Sequence, residues 1–328
     1  MVASATNIAP RISLSALRFT ASGLNRPECI LATARGALYS ADWRGGVAQT
    51  LPDGSQKLFA ASLPLGRPLK PNGIALRRDG SFLLADLGDT QGGIFRLERN
   101  GSVAPFLEEI EGIPLPPSNF VIEDGKRTWL TVSTRHQPRA LAYRKDIADG
   151  FVAVVDERGA RIVADGLCYT NEAVPSPDGQ WLYVNETFAR RLTRFRIGAD
   201  GALSGKETVA AFGHGTYPDG LTFDAEGGIW ITSIVSNRVI RVLPDGSQVL
   251  MLEDCDPAHL DWVEQAFQSG DMGRPHLGKA GGQILKNISS LAFGGPGLRT
   301  AYLGCLLDDR IAYFDAAVSG HPPYHWHF

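Results

Sequence analysis

The side chains of this sequence that could do chemistry stand at equivalent places before a series of tight turns. Each lies eight residues, or in one case six, before the glycine of its turn. They comprise two carboxylates, three amides and one hydroxyl: Glu28, Asn72, Asn119, Asn171, Asp219 and Ser289. Oxygen donors that converge on one point suit a hard divalent cation. Because the six positions are far apart in the chain, only a repeating fold would bring them together.

Ordinary turn chemistry is the alternative explanation for some of these residues. Asn and Asp are common before glycine in turns, and both Asn72 and Asp219 stand between Pro and Gly. That explanation does not account for Glu28, or for the pair Asn171 and Glu172. The trio Glu28, Asn171 and Asp219 is therefore the predicted metal site, because two carboxylates and one amide would balance a dication.

Turn signals divide the chain into similar units. Asp-Gly and Glu-Gly turns occur at 52–55, 78–81, 123–125, 177–179, 225–228 and 244–247. Short runs of β-branched and aromatic residues lie between the turns and indicate strands and hairpins. The spacing is near 45 residues per unit, which is typical of the four-stranded blade of a β-propeller. Six units predict an all-β protein, a six-bladed β-propeller.

Each unit contains two clear strand-like runs after its turn. The first runs are Leu38–Asp42, Phe82–Asp86, Trp129–Val132, Trp181–Val184, Ile229–Thr232 and Thr300–Gly304. The second runs are Val47–Thr50, Gly93–Leu97, Ala140–Tyr143, Leu192–Phe195, Val239–Val242 and Arg310–Phe314. In a propeller, the start of each innermost strand faces the central channel, so the six oxygen-bearing residues would form a ring there.

The whole chain, 1–328, is expected to be one propeller domain. The last unit is one strand short, and the run Leu14–Phe19 could supply that strand and close the ring. Residues 251–287 interrupt the repeat and are expected to be an insertion between blades five and six. This insertion and segment 104–118 are the expected covers of the channel mouth, since long connections often serve binding.

Composition excludes several classes of function. Lys and Arg total 32 against 35 Asp and Glu, a net charge of −3, and no basic run marks a nucleic-acid binder. No apolar stretch approaches the roughly 20 residues of a membrane-spanning helix. The first residues, Met1–Asn7, lack a signal-peptide pattern, and four scattered cysteines indicate reduced thiols, so a cytoplasmic location is expected. The oligomeric state is left open.

The motifs around the ring residues resemble those of the SMP-30/gluconolactonase/LRE-like family of six-bladed propellers. The resemblance runs from about residue 14 to 316 and is carried by segments 26–28, 70–75, 171–179 and 217–221. It implies lactone hydrolysis with one divalent metal ion. It implies Glu28, Asn171 and Asp219 as metal ligands, with calcium the expected ion and zinc, manganese or magnesium as alternatives.

The resemblance also implies roles in catalysis. Asp219 would act as acid and base, and Asn119 and Asn72 would contact metal or substrate. Sugar-lactone members typically carry an Arg and an Asp around the Asn119 position, whereas this chain has Pro117 and Phe120. We therefore expect the mouth to lack a positive charge and to take a less polar lactone or ester than gluconolactone.

Other chemistries find less support in the sequence. A G-x-S-x-G nucleophile elbow is absent, and Cys29 is expected to be a buried thiol. His136 follows a blade-three strand and could contact substrate or carry a proton. Hydrolysis of another ester or a phosphotriester and a non-catalytic, metal-stabilised scaffold stay open as alternatives. A strictosidine-synthase-like activity is disfavoured, because it would not need the trio.

Overall fold

The computed structural model describes residues 11–61 and 66–328, and it confirms the prediction of a six-bladed β-propeller. The expectation drawn from Met1–Asn7 lies outside the described residues. Six four-stranded antiparallel sheets surround one axis. The chain begins with β1 (Arg18–Thr20), and blade one contains β2 (Ile30–Ala32), β3 (Leu38–Asp42), β4 (Gly46–Thr50) and β5 (Gln56–Ala60).

The next two blades and the hairpin between them follow in chain order. Blade two contains β6 (Pro71–Leu76), β7 (Phe82–Asp86), β8 (Gly93–Leu97) and β9 (Val103–Leu107). The hairpin consists of β10 (Glu109–Ile110) and β11 (Ile113–Pro114). Blade three contains β12 (Ser118–Glu123), β13 (Thr128–Val132), β14 (Gly150–Asp156) and β15 (Gly159–Leu167).

The remaining blades complete the ring. Blade four contains β16 (Thr170–Pro175), β17 (Trp181–Glu186), β18 (Arg191–Ile197) and β19 (Leu203–Ala211). Blade five contains β20 (Tyr217–Phe223), β21 (Ile229–Ile234), β22 (Arg238–Val242) and β23 (Gln248–Glu253). Two helices follow, α1 (Pro257–Ser269) and α2 (Arg274–Gly278). Blade six contains β24 (Ile288–Gly294), β25 (Thr300–Cys305), β26 (Ile311–Asp315) and, as its outer strand, β1.

The tight turns form because their aspartates replace backbone hydrogen-bond partners. Oδ1 of Asp53, Asp79 and Asp245 each accepts a hydrogen bond from the backbone N–H two residues later, at 2.9–3.0 Å. Such Asx turns reverse the chain locally, without help from other blades. These turns join neighbouring strands within one blade: β4 to β5, β6 to β7 and β22 to β23.

The central strands of the blades are buried on both faces because each sheet is stacked between two others. All residues of β3, β7 and β13 are buried. Large aromatic side chains fill the space between neighbouring blades, and Trp230 packs against Phe293 with their ring centroids 5.2 Å apart. This stacking explains why the strands read as continuous apolar runs rather than alternating ones.

The N-terminal strand closes the ring as expected. β1 pairs with β26 in antiparallel register, with Phe19 opposite Ala312. The Arg18 guanidinium forms a 2.7 Å ion pair with Asp315, and Arg310 lies 4.1 Å from the centroid of the Phe19 ring. Residues 18–20 are thus joined to the last strand within one sheet, and this pairing closes the ring of six blades.

The expected strand at Ala140–Tyr143 is wrong. The run lies in the long connection between β13 and β14, and Arg139–Ala142 forms a 3₁₀ turn after Pro138. Tyr143 is buried against Tyr169 and Phe188 with ring centroids 5.4 and 5.0 Å away. The apolar run therefore anchors a loop at the mouth instead of pairing with β13, whose partner is β14.

The segment between blades five and six contains α1 and α2, whereas residues 251–253 of the expected insertion belong to β23. The carboxylate of Asp256 caps α1 by accepting from the N–H of Ala258 at 2.9 Å, and Gly270 ends the helix in a left-handed conformation. On the buried face of α1, the Glu264 carboxylate accepts from the Tyr217 hydroxyl at 2.9 Å and from the Gly215 N–H at 2.8 Å. These bonds hold the helices against blade five.

The C-terminal tail docks at the lower end of the channel. Backbone bonds join His321 to Phe223 and Trp326 to Ala34, and Phe328 packs against Tyr39. A cavity of about 520 Å³ lies there, between the ends of the inner strands and residues 321–325. All four cysteines are free, with Cys29 buried as expected, and no helix in the described ranges is long and apolar enough to span a bilayer.

The inner strands approach each other so closely at the channel that two positions require glycine. A Cβ on Gly73 would lie 2.7 Å from the Phe120 Cα, and one on Gly220 would lie 2.5 Å from the carbonyl oxygen of Ser289. Both distances are shorter than real Cβ contacts. The Pro-Asn-Gly and Pro-Asp-Gly motifs therefore reflect blade packing as well as turn chemistry.

Gly220→Ala should destabilise the fold by about 1–3 kcal/mol, because the added methyl group pushes the inner strands of blades five and six apart. Urea unfolding measures this change. The matched control is Gly213→Ala, since a Cβ there meets no atom within 4 Å. Equal stability of the two variants would contradict the packing argument.

Candidate functional site

Backbone bulges position the ring residues at the channel mouth. In five blades the pairing of the first two strands shifts register at the start of the inner strand. Asn72, Asn119, Asn171, Asp219 and Ser289 lie within these shifts. A bulge bends a strand and re-aims a side chain. Five of the six ring residues are therefore placed by one backbone device repeated around the axis, whereas Glu28 lies just before β2, which has no bulge.

A continuous chain of hydrogen bonds joins five ring residues. Nδ2 of Asn72 donates to Glu28 Oε1 at 2.9 Å and to Asn119 Oδ1 at 3.3 Å. Nδ2 of Asn119 donates to Asn171 Oδ1 at 2.7 Å. Nδ2 of Asn171 in turn donates to Asp219 Oδ1. The structure thus brings together these five residues that the sequence analysis selected. The carboxylates of Glu28 and Asp219 are the two ends of this series of hydrogen bonds.

Neighbouring blades satisfy the backbone groups that the bulges release. The Ser289 hydroxyl donates to the Glu28 carbonyl oxygen at 2.8 Å, so it supports the backbone of the ring. Asn185 Nδ2 donates to the Asp219 carbonyl oxygen at 3.0 Å, and the Thr187 hydroxyl donates to the Pro218 carbonyl oxygen at 2.8 Å. Buried carbonyls need such partners, and these partners fix the position of the ring side chains.

The two ring carboxylates are buried without a paired cation. Glu28 and Asp219 are 5% and 4% exposed, and no salt bridge reaches either of them within the described residues. Burial raises the pKa of Glu28, and burial together with the Glu28 charge raises the pKa of Asp219 well above its usual range. Arg26 and Arg139 partly oppose both shifts. Two ionised carboxylates here would need a further positive charge.

The donor set fits a divalent cation. Residues 11–61 and 66–328 contain no cluster of three His, Cys, Asp or Glu side chains that could hold a metal. The ring instead combines two carboxylates with amides, which are oxygen ligands suited to Ca²⁺. The physical observation in favour of a metal is that the Glu28 and Asp219 carboxylates are buried and form no salt bridge with a described residue.

A third buried carboxylate lies next to the ring. Glu172 is buried, and its Oε2 accepts a 2.8 Å hydrogen bond from the backbone N–H of Leu221. Burial raises its pKa well above the usual range, and the charges of Glu28 and Asp219 raise it further. Glu172 therefore links blades four and five through the Leu221 N–H, in surroundings that favour its protonated form.

The expectation that the mouth lacks positive charge is wrong. Arg26, Arg139 and Arg274 line the same pocket as the ring, which has a volume of about 150 Å³. Arg139 donates to Asn119 Oδ1 at 2.9 Å, and Arg26 donates to Asn72 Oδ1 at 2.9 Å. Positive charge therefore comes from other loops, although Pro117 stands where the relatives' arginine would be. In the sequence, the only indication of this positive charge was that Arg26 stands two residues before Glu28.

The remaining pocket wall is apolar and aromatic. It contains Leu87, Tyr143, Tyr169, Ile234 and, from the helical insertion, Leu277. Arg274, Leu277 and Gly278 of the helical segment line this pocket, whereas none of the residues from 104–118 does.

The structure does not bring His136 to the pocket. Its imidazole is exposed, and Nδ1 lies 2.8 Å from the Asp149 carboxylate. The pocket wall does not include His136. Of the six residues predicted for the site, it is the one that stands apart.

Comparison with known proteins supports the family resemblance. The family profile described as the SMP-30/Gluconolactonase/LRE-like region matches residues 27–253, a range that contains all five hydrogen-bonded ring residues. A 6-deoxy-6-sulfogluconolactonase of Pseudomonas putida is 31% identical over 185 residues, which cover 54% of this chain and 58% of that protein. The match therefore spans less than two thirds of that relative's length.

Solved structures share the fold. A gluconolactonase from Xanthomonas campestris superposes with a TM-score of 0.66 at 20% identity, covering 93% of this chain and 94% of that one. A calcium-binding regucalcin from Agrobacterium tumefaciens gives a TM-score of 0.66 at 19% identity, covering 94% and 95%. At these identities the likeness concerns the propeller fold alone.

Glu172 should make the metal-free protein less stable as pH rises. Because its folded pKa is raised, the unfolded chain releases this proton first, near the ordinary value of 4.5. The stabilisation is complete below that pH and is lost as pH rises through the folded pKa, by about 1.4 kcal/mol per pH unit.

Glu172→Gln removes this titration, so its free energy of unfolding should fall less than that of the wild type between pH 5 and pH 8. Urea titrations in the presence of a chelator measure the difference. Glu109→Gln is the control, since Glu109 is exposed. Parallel pH profiles for the wild type and Glu172→Gln would contradict a neutral buried acid.

Proposed function

We propose a function from the premise that this chain belongs to the SMP-30/gluconolactonase/LRE-like family: it is a metal-dependent hydrolase that opens a lactone. The observation that supports this most is the pair of buried carboxylates, Glu28 and Asp219, joined by amides at the mouth of a closed ring. A scaffold would not need uncompensated carboxylates in a pocket, because each costs desolvation free energy.

Glu28, Asn171 and Asp219 would hold the metal ion, with calcium the expected ion. When bound, a divalent cation supplies a Lewis acid for the lactone carbonyl and lowers the pKa of a water molecule. The chain's own contribution is to fix these ligands: Asn72 restrains the Glu28 carboxylate, and Asn185 and Thr187 restrain the strand that carries Asp219.

Asp219 would carry the proton. Its carboxylate would accept a proton from the attacking water and return it to the alkoxide that leaves when the ring opens. Asn119 lines the same pocket, and the second N–H of its amide would donate a hydrogen bond to the oxyanion that develops on the carbonyl. Tyr169, Leu277 and Ile234 would shield this reaction from bulk water.

The lactone class of substrate is proposed from relatives. The Pseudomonas putida relative is a 6-deoxy-6-sulfogluconolactonase, and the Xanthomonas campestris structure is that of a gluconolactonase. A cyclic ester suits the pocket because its hydrolysis needs one polarised carbonyl, one water molecule and one proton carrier, and all three can be placed around the ring.

Removal of the metal should abolish lactone hydrolysis, and added Ca²⁺ or Mn²⁺ should restore it. Proton release from a panel of lactones measures the activity. The same metals should raise the melting temperature, because they bind the folded state and neutralise Glu28 and Asp219. Full activity of the chelated, metal-free protein would refute the proposal.

Asp219→Asn should fold normally but lose most of its kcat, by a factor of about 10²–10⁴, even when saturated with metal. The substitution preserves size and the hydrogen bond from Asn171 but removes the basic group. Glu28→Gln should act mainly through metal affinity and be partly rescued by high metal. Initial rates over a metal titration separate the two variants. A near wild-type kcat for metal-saturated Asp219→Asn would show that another group carries the proton.

A further inference from the structure

Three arginines at the mouth have no carboxylate partner. Arg26, Arg139 and Arg274 form no salt bridge with any described residue. Most other arginines of the propeller do, as Arg241 does with Asp224 at 2.7 Å. Nε of Arg139 is also buried without a hydrogen-bond partner. Buried donors normally have a hydrogen-bond partner, so Arg139 Nε indicates that an acceptor binds in this pocket.

We propose that these arginines bind an oxyanion group carried by the substrate, which makes the natural substrate an anionic lactone. This inference rests on the proposed function and specifies its substrate class. Carboxylate, phosphate and sulfonate groups share the required chemistry, because each accepts paired hydrogen bonds from a planar guanidinium.

Aromatic and amide contacts hold two of the arginines in place without neutralising them. The Arg26 guanidinium stacks 4.4 Å from the centroid of the Trp43 ring, and that of Arg139 lies 5.4 Å from the Tyr169 ring. Their hydrogen bonds go to neutral acceptors, Asn72 and Asn119. Such contacts orient a guanidinium while leaving its charge available to a ligand.

The arrangement of charges separates two tasks. Glu28 and Asp219 lie in the ring, and a bound dication would balance their charge. Arg274 lines the same pocket from α2, an element outside the ring of inner strands. With the dication in place, the arginines leave the pocket positive, which favours an anion.

Arg274 belongs to α2, outside the range that the family profile matches. The insertion therefore adds charge to a pocket whose five hydrogen-bonded ring residues lie within the matched range. We expect Arg274 to affect which lactone binds, whereas the ring residues within the family profile would carry out the hydrolysis.

The test compares matched lactones with metal-saturated protein. The probes are D-glucono-1,5-lactone, its 6-phosphate and 6-sulfonate analogues, and the carboxylate-bearing D-glucaro-1,4-lactone. We expect at least one charged lactone to exceed the neutral one in kcat/KM by about 10- to 100-fold, the range expected for hydrogen bonds to a charged group. The three charged probes distinguish the kinds of oxyanion.

Arg274→Gln and Arg139→Gln should each reduce the charged-to-neutral ratio of kcat/KM by about 10-fold or more. Arg35→Gln is the matched control, since Arg35 is exposed in a turn at the opposite end of the propeller. A wild type that prefers the neutral lactone, or variants that keep the wild-type ratio, would overturn the inference while lactone hydrolysis stands.

Binding separates this inference from the proposed function. Calorimetric titration with 6-phosphogluconate should show at least 10-fold weaker binding to Arg274→Gln than to the wild type. If no lactone is hydrolysed but this difference is found, the hydrolase proposal fails and the anion site is supported. Equal affinity of both proteins would overturn the anion site.

Discussion

Two carboxylates buried within one ring, with no cation paired to them among residues 11–61 and 66–328, are the constraint on which the rest of this structure depends. Glu28 and Asp219 repel each other and have lost most of their water, so the fold must hold them against an unfavourable free energy. It does so with bulged inner strands whose carbonyls are held by Asn185, Thr187 and Ser289 of neighbouring blades. The close approach of the inner strands explains why glycine follows Asp219.

The sequence predicted the architecture well because its signals are local. Asp-Gly turns and apolar runs determine the hairpins without long-range help, and strands such as Phe82–Asp86 and Gly93–Leu97 have the predicted bounds. The ring residues were found by counting back from the turns, since the inner strand of each blade has a similar length. Because of that regularity, Glu28 and Asp219 could be assigned to one site although nearly two hundred residues separate them in the sequence.

What the sequence did not predict lies in the irregular connections. Ala140–Tyr143 has the composition of a strand, but burial of Tyr143 among aromatic rings and the preceding Pro138 make the segment a mouth loop. The adjacent Arg139 reaches Asn119 from that loop, and Arg274 reaches the pocket from a helix that has no counterpart in the repeat. Because tertiary contacts bring these arginines to the pocket, their positions follow no regular spacing in the sequence.

The docked tail has a consequence for turnover. Residues 321–325 lie across the lower end of the channel, and Ala34 and Phe223 anchor the tail there. In the reaction we propose, substrate and product would both use the upper mouth. Opening a lactone creates a new carboxylate, so the departing hydroxy acid carries one more negative charge than the molecule that entered. In that reaction, the arginines of the pocket would therefore hold the product more strongly than the substrate and slow its release.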